Sequence, residues 1–268
     1  MTSQRYWIIT DLDGTLMDHN YSIKPAIDTL NWIQSKRIPL IPCTSKTAAE
    51  VRIFRKKLGI SDPYIVENGG AVYGESEHTH ETWEVPLGRN HNELRPLLDK
   101  LSEQLGLPLK AFEDLTEIEV TNITGLKGKA IKQAVERQWS VPFLTPPAEQ
   151  HLRLKELASE LELIILQGNR MSHLLDKSCH KGKAVLLLKT LLGKPNVKII
   201  ALGDSPNDKP LLEVADFPIV VPGAQGPNSC FHHELKTGKF MLAPAAHGEG
   251  WAKAVRMTLA KITTESFA

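Results

Sequence analysis

Short apolar runs that end in glycine or polar turns alternate along the chain with stretches in which apolar residues recur every three or four positions. That is the pattern of buried strands followed by amphipathic helices. The run "RYWIIT" predicts a fully buried strand, and "IKPAIDTLNWIQSKR" predicts a helix after it. Pro25 is tolerated in that helix's first turn, and Ile27, Leu30 and Ile33 share one face. "IPLIPCTS" predicts a second strand, whose Pro39 and Pro42 cannot donate to a ladder and so suit a strand end or a sheet edge. "KTAAEVRIFRKKLGI" predicts a second helix stopped at Gly59, and "PYIVENGG" a third strand running into a glycine turn.

After Tyr73 the pattern changes. "GESEHTHETWEVPLGRN" is polar and turn-rich, and residues 91–166 carry helix, strand and helix signals with apolar faces of their own. The buried strand-then-helix rhythm resumes near "RMSHLLD", continues through a helix at 183–192 that Gly193 and Pro195 stop, and enters the strand "VKIIALGD". The alternation predicts an α/β sheet. The interruption predicts one domain built from residues 1–84 and 168–268, with a second, smaller α/β domain, 85–167, inserted into it. Two crossings between such domains would let a cleft open and close over a substrate.

Composition narrows the classes of function. Thirty-two Lys and Arg against 31 Asp and Glu leave a charge of +1, so no global field recruits nucleic acid or an anionic membrane. An anionic partner must be met locally. Cys43, Cys179 and Cys230 are odd in number and form no C-x-x-C pair, which argues against a disulfide framework and a zinc site and suits a reducing cytoplasm. No apolar run approaches the ~20 residues of a membrane span, and "MTSQRYWIIT" lacks the features of a signal peptide. His78 and His80 in "EHTHE" would share a face of any strand there, but with no third ligand suggested nearby they read as a solvated hairpin. His232 and His233 are adjacent and would diverge in a strand, and the scattered tryptophans read as packing.

Candidate chemistry sits where predicted strands end. In "TDLDGT", Asp11 and Asp13 are one residue apart, and Gly14 would let the backbone turn tightly around an anion. The stretch fits a catalytic pair, a metal cup or an Asx-type turn. "PCTSKT" offers Thr44 and Ser45 at a strand end, either to hold a phosphoryl oxygen or merely to cap a helix. "HKGKAV" puts Lys181 at a helix start, an unfavourable end for a cation unless acids or an anion lie nearby. In "GDSPNDKPLLE", Asp204 follows a strand and Asp208 lies four residues on, an oxygen-only nest suited to Mg²⁺ or an N-cap with an extra acid.

In this order, D-x-D-G-T, then Thr/Ser, then K-G, then G-D-x-x-N-D, the four signals resemble the haloacid dehalogenase superfamily of phosphatases. The segment between the hydroxyls and the lysine resembles the large α/β cap of its sugar-phosphatase branch. "SKTAAE", "ENGG", "QGNRMSH", "GDSPNDKPLLE" and "GEGWAKAV" are similar to the mannosyl-3-phosphoglycerate phosphatase family. The chain departs from that family at "HGEGW", where G-P-x-G-W is more usual.

The resemblance implies a Rossmann-like parallel-sheet core domain with an inserted α/β cap domain. It implies that Asp11 is a nucleophile forming an aspartyl phosphate and that Asp13 is first general acid, then general base. Two carboxylates would repel a phosphate dianion, so positive charge is required whatever the family. Mg²⁺ and Lys181 would supply it, the ion being held by Asp11, the Asp13 carbonyl and Asp204, with Asp208 near or in the shell. Thr44 would fix a phosphoryl oxygen. Substrate contacts are expected from Ser45, Lys46, Glu67, Asn68 and Asn207, and from Gln167, Arg170 and His173 in the cap, Arg170 as a fork for a carboxylate or phosphate. The implied substrate is a small phosphorylated sugar derivative, acted on by a monomer or a homodimer. The rivals are another sugar-phosphate phosphatase such as one for sucrose phosphate, a phosphohexomutase, a signalling receiver domain, which is much shorter, and a non-catalytic binding protein of the same fold.

Overall fold

The computed structural model describes residues 6–76, 79, 81–168 and 171–265. β1 (Tyr6–Thr10) is the buried strand expected from "RYWIIT". A 3-10 turn over Lys24–Ala26 takes Pro25 before α1 (Ile27–Ser35) begins. Leu30 and Ile33 of α1 are buried, but Ile27 is 39% exposed, because the buried face runs through Ala26, Thr29, Leu30 and Ile33 and leaves Ile27 at its edge. β2 (Leu40–Pro42) pairs with β1 in parallel and lies at the edge of its sheet, where Pro42 leaves no ladder bond unmade. α2 (Ala48–Leu58) is fixed at both ends. Thr47 and Glu50 form a reciprocal capping box, and Gly59 closes the helix in the left-handed region at φ 64°.

β3 (Tyr64–Val66), β4 (Ala71–Glu75) and β5 (Thr82–Pro86) form a three-stranded sheet, with β4 and β5 an antiparallel pair. The polar stretch after Tyr73 therefore begins inside a strand. His78 and His80 lie outside the described residues. α3 (His91–Leu105), α4 (Glu117–Thr124), α5 (Lys129–Val135), β6 (Val141–Phe143), α6 (His151–Glu160), β7 (Leu163–Gln167) and β8 (Ser172–Asp176) follow. β6, β8 and β7 make an antiparallel sheet, and Leu94, Leu98 and Leu101 of α3 join Leu154 and Leu157 of α6 in its hydrophobic core. The strand signal at "RMSHLLD" thus belongs to this antiparallel sheet and not to a resumed parallel one. A five-residue buried run has the same appearance in either setting.

α7 (Lys181–Leu191), β9 (Lys198–Gly203), α8 (Lys209–Glu213), β10 (Phe217–Val220), α9 (His232–Lys236), β11 (Met241–Leu242) and α10 (His247–Glu265) complete the chain. His232 and His233 lie in a helix, not a strand. The main sheet runs β11-β10-β9-β1-β2 with every pairing parallel, a Rossmann-like layout whose central strands β1 and β9 are apolar on both faces. Two compact units result. One holds the residues up to Thr44, Asp62–Tyr64 and those from Lys181 on; the other holds Ser45–Ser61 and Ile65–His180. Among the described residues, no helix is long and apolar enough to cross a membrane.

Candidate active site

In the first unit, the strands of the parallel sheet share one direction, so the residues after their carboxyl ends gather on one rim. Asp11 follows β1, its N–H still bonded to Leu202 O at 3.0 Å, and the chain then folds into a turn closed by Gly14 N–H to Met17 O at 2.9 Å. Gly14 is required twice. Its φ is +87°, and a Cβ there would come 2.5 Å from Asp204 Oδ2. The turn after β1 is therefore pressed against the start of the turn after β9, where Thr15 Oγ1 donates to Asp204 Oδ1 at 2.7 Å.

Asp208 joins two tasks that the sequence presented as alternatives. Its Oδ2 accepts the N–H groups of Asp204 and Ser205, both at 3.0 Å, so it caps the turn after β9. Its Oδ1 accepts Lys181 Nζ at 2.6 Å, and the same ammonium donates to Asp11 Oδ1 at 2.7 Å. Lys181 begins α7 and is wholly buried, as is Asp208. An acid cluster thus offsets the poor fit of a cation to a helix N-terminus.

The charges do not balance. Asp11, Asp204 and Asp208 each offer a carboxylate oxygen within 4.8 Å of the others, and the ammonium of Lys181 bonds to only two of them. Burial pushes the Asp11 carboxyl well above the usual carboxylate range, Lys181 pulls it back, and Asp208 and Asp204 push it up again. Burial also works against the charge on Lys181, yet Asp11 and Asp208 beside it hold the ammonium above its ordinary range. An all-oxygen donor set this crowded and this negative fits a hard divalent cation.

Four expected site residues, Asp11, Lys181, Asp204 and Asp208, are thus brought together. Thr44 lies two residues past β2, fully buried. Asp13 sits in the turn after Asp11, bridged through its main chain to Met17. Asn207 is buried in the turn after β9 and accepts Ser205 Oγ–H.

The remaining expected residues lie in the second unit. Ser45 O accepts Arg137 Nη1 at 2.5 Å, and Lys46 Nζ donates to Glu50 Oε1 at 3.4 Å. Glu67 and Asn68 are both buried. The Glu67 carboxylate accepts Gln138 N–H at 2.9 Å, Trp139 N–H at 3.1 Å and Ser140 Oγ–H at 2.6 Å. Gln167 ends β7, and His173 is buried on β8 beside it. Arg170 lies outside the described residues. Sequence reasoning assigned nothing to Thr15, although it stands inside the D-x-D-G-T motif, nor to His247 and Trp251, although "HGEGW" marked them out. His247 Nδ1 lies 2.7 Å from Gly14 O, and Trp251 Nε1 donates to Thr10 Oγ1 at 3.0 Å.

A parallel sheet with acids and a lysine converging at its carboxyl rim defines a hydrolase of a recognisable kind, and the chain belongs to the haloacid dehalogenase-like hydrolase family, matched over residues 8–87 and 143–226. It is 36% identical over 228 residues to a glucosyl-3-phosphoglycerate/mannosyl-3-phosphoglycerate phosphatase of Persephonella marina, covering 80% of this chain and 84% of that one. It is 31% identical over 271 residues to a protein of the same name from Methanococcoides burtonii, covering 96% and 98%. Both relatives are named phosphatases, in line with the expectation of a phosphoric monoester hydrolase. A solved HAD/COF-like hydrolase from Plasmodium vivax superposes with a TM-score of 0.71 at 16% identity, over 97% of this chain and 96% of that one, a likeness of fold.

Proposed function

We propose that this chain is a Mg²⁺-dependent phosphatase that converts mannosyl-3-phosphoglycerate or glucosyl-3-phosphoglycerate to the glycosylglycerate and phosphate. The observation that carries the reading is the buried Lys181, shared by Asp11 and Asp208 beside Asp204. The names of the two relatives support the choice of substrate.

In the first half-reaction a carboxylate oxygen of Asp11 attacks phosphorus while the bond from phosphorus to the glyceryl oxygen breaks. Asp13 gives its proton to that departing oxygen, and an aspartyl phosphate remains on Asp11. In the second half-reaction water attacks phosphorus, Asp13 takes the water's proton, and Asp11 leaves as the carboxylate with release of phosphate. Lys181 favours the ionised form of Asp11 against its burial and fixes the direction of its carboxylate, and Thr44 holds a phosphoryl oxygen. Bound Mg²⁺ would be held by Asp11, the Asp13 carbonyl and Asp204, with Asp208 behind them, and would neutralise charge on the transferring group.

The inserted segment, residues 85–167, chooses the substrate together with the residues just after it, with Gln167, Arg170 and His173 reading its hydroxyls and carboxylate. The substrate is small and the setting cytoplasmic, without nucleic acid or membrane.

A phosphate-release screen over the two glycosyl phosphoglycerates, sucrose phosphate and hexose phosphates, each with Mg²⁺ and with chelator, tests this. The reading expects release from a glycosyl phosphoglycerate that the chelator abolishes. Full activity in chelator, or isomer formation from a hexose phosphate without phosphate release, would overturn it.

A further inference from the structure

We propose that His247 is a positioning residue for the turn that carries Asp11 and Asp13, an inference that rests on reading that turn as the reacting one. His247 opens α10 with φ +48°, a left-handed conformation that is strained for any residue with a Cβ and is kept where surrounding contacts hold it. Two contacts do so. The main-chain N–H donates to Pro222 O at 3.1 Å, and ring Nδ1 lies 2.7 Å from Gly14 O. A carbonyl can only accept, so Nδ1 carries the hydrogen.

His247 thereby joins the turn after β1 to the turn after β10. In the sheet these strands are separated by β9, whose own turn supplies Asp204 and Asp208. Other residues of α10 grip the same segment. A Cβ on Gly248 would come 2.9 Å from Leu16 O, so the helix backbone lies close against it. Trp251 Nε1 donates to Thr10 Oγ1, which in turn donates to Asp11 O at 2.6 Å. The start of α10 thus braces the Thr10–Met17 segment at three points, Thr10, Gly14 and Leu16, and His247 holds the point next to Asp13. Removing its donor frees Gly14 to leave Asp204, and Asp11 and Asp13 lose their mutual alignment.

Two substitutions separate this role from a plain structural one. His247→Gly removes the donor and also relieves the left-handed backbone; His247→Asn tolerates that backbone and keeps a donor near the Nδ1 position. The expected result for H247G is an unchanged or raised Tm with faster hydrogen exchange in the peptide spanning Asp11–Met17. Its kcat on whichever phosphomonoester the wild type hydrolyses falls about tenfold with KM within about twofold. H247N recovers most of both. Wild-type exchange and kcat in H247G would overturn the proposal, as would losses of Tm and kcat together that H247N does not recover. If the wild type hydrolyses no phosphomonoester, the functional reading fails on its own. The exchange comparison then decides alone: a loosened Asp11–Met17 peptide in H247G upholds the bracing role, and an unchanged one overturns it.

Discussion

Asp11 in the first unit and Glu67 in the second are both acids in turns after strands, exposed by only 4% and 0%, yet the chain treats them in opposite ways. Glu67, at φ +48°, meets three neutral donors from a single segment, Gln138, Trp139 and Ser140. Both of its oxygens are occupied by groups aimed at them, and the result is a staple that ties the "ENGG" turn to residues 138–140. Asp11 meets a lysine that it must share with Asp208, while Asp204 adds a further negative charge nearby. Buried ion pairs seldom stabilise a fold beyond what apolar packing of the same volume achieves. A cluster with surplus charge is therefore poorly explained as architecture. The difference teaches that burial alone does not mark a reactive acid; unbalanced partners do.

Substitutions that change the partners should break this contrast. The largest effect is expected from Asp11→Asn, which should lower phosphate release by roughly a thousandfold or more while leaving Tm unchanged or raised, because repulsion from Asp204 and Asp208 is relieved. Lys181→Met removes the ammonium between two buried carboxylates. It should abolish activity and also cost about 3–5 kcal/mol in denaturant unfolding at neutral pH. Activity and stability would thus separate in the first variant and fall together in the second.

Glu67→Gln should show the reverse of Asp11→Asn. One acceptor is replaced by an amide that faces backbone N–H groups, so urea unfolding should register a loss of about 1–3 kcal/mol. The turnover of the folded fraction should stay within about threefold of wild type, as fits a group that touches no reacting atom.

The smallest effect concerns pH. His91 faces Ser140 O at 2.8 Å and Glu113 Oε1 at 3.0 Å, acceptors on both sides, so the imidazolium is favoured. The bond to Glu113 raises the pKa of His91 against the opposing effect of burial, and the Glu113 carboxyl is lowered although its own burial works the other way. A raised folded-state value means that this contribution is complete below the unfolded histidine's pKa of about 6.5 and is lost as pH rises through the folded-state value. The Tm difference between wild type and His91→Gln should therefore be larger at about pH 5.5 than at about pH 9, by roughly 2 °C.

Much of the fold was legible because strand and helix periods differ and punctuation residues have fixed uses. The two prolines of "IPLIPCTS" suited a strand end or an edge, and β2 ends on Pro42 at the edge of its sheet; Gly59 pointed to a helix stop, and it adopts φ 64°. The sheet to which "SHLLD" belongs was not legible, because a short buried run carries no record of its pairing partners. The meeting of Asp11, Asp204 and Asp208 was foreshadowed because strand ends in a parallel sheet share a rim, and that of Lys181 because a cation at a helix start calls for acids nearby. The bracing contacts were hidden for a plainer reason. Thr15 meets Asp204 across 189 positions, and His247 meets Gly14 across 233, so the local motifs that held these two residues carried no record of the partner each would meet.

The central claim is that Asp11 carries the phosphoryl group. The most direct test is to quench turnover of a glycosyl phosphoglycerate with labelled borohydride, which reduces an aspartyl phosphate, and then to map the labelled peptide. The account predicts label at position 11 in the wild type and none in Asp11→Asn. Label at another carboxylate, or none during active turnover, would contradict it.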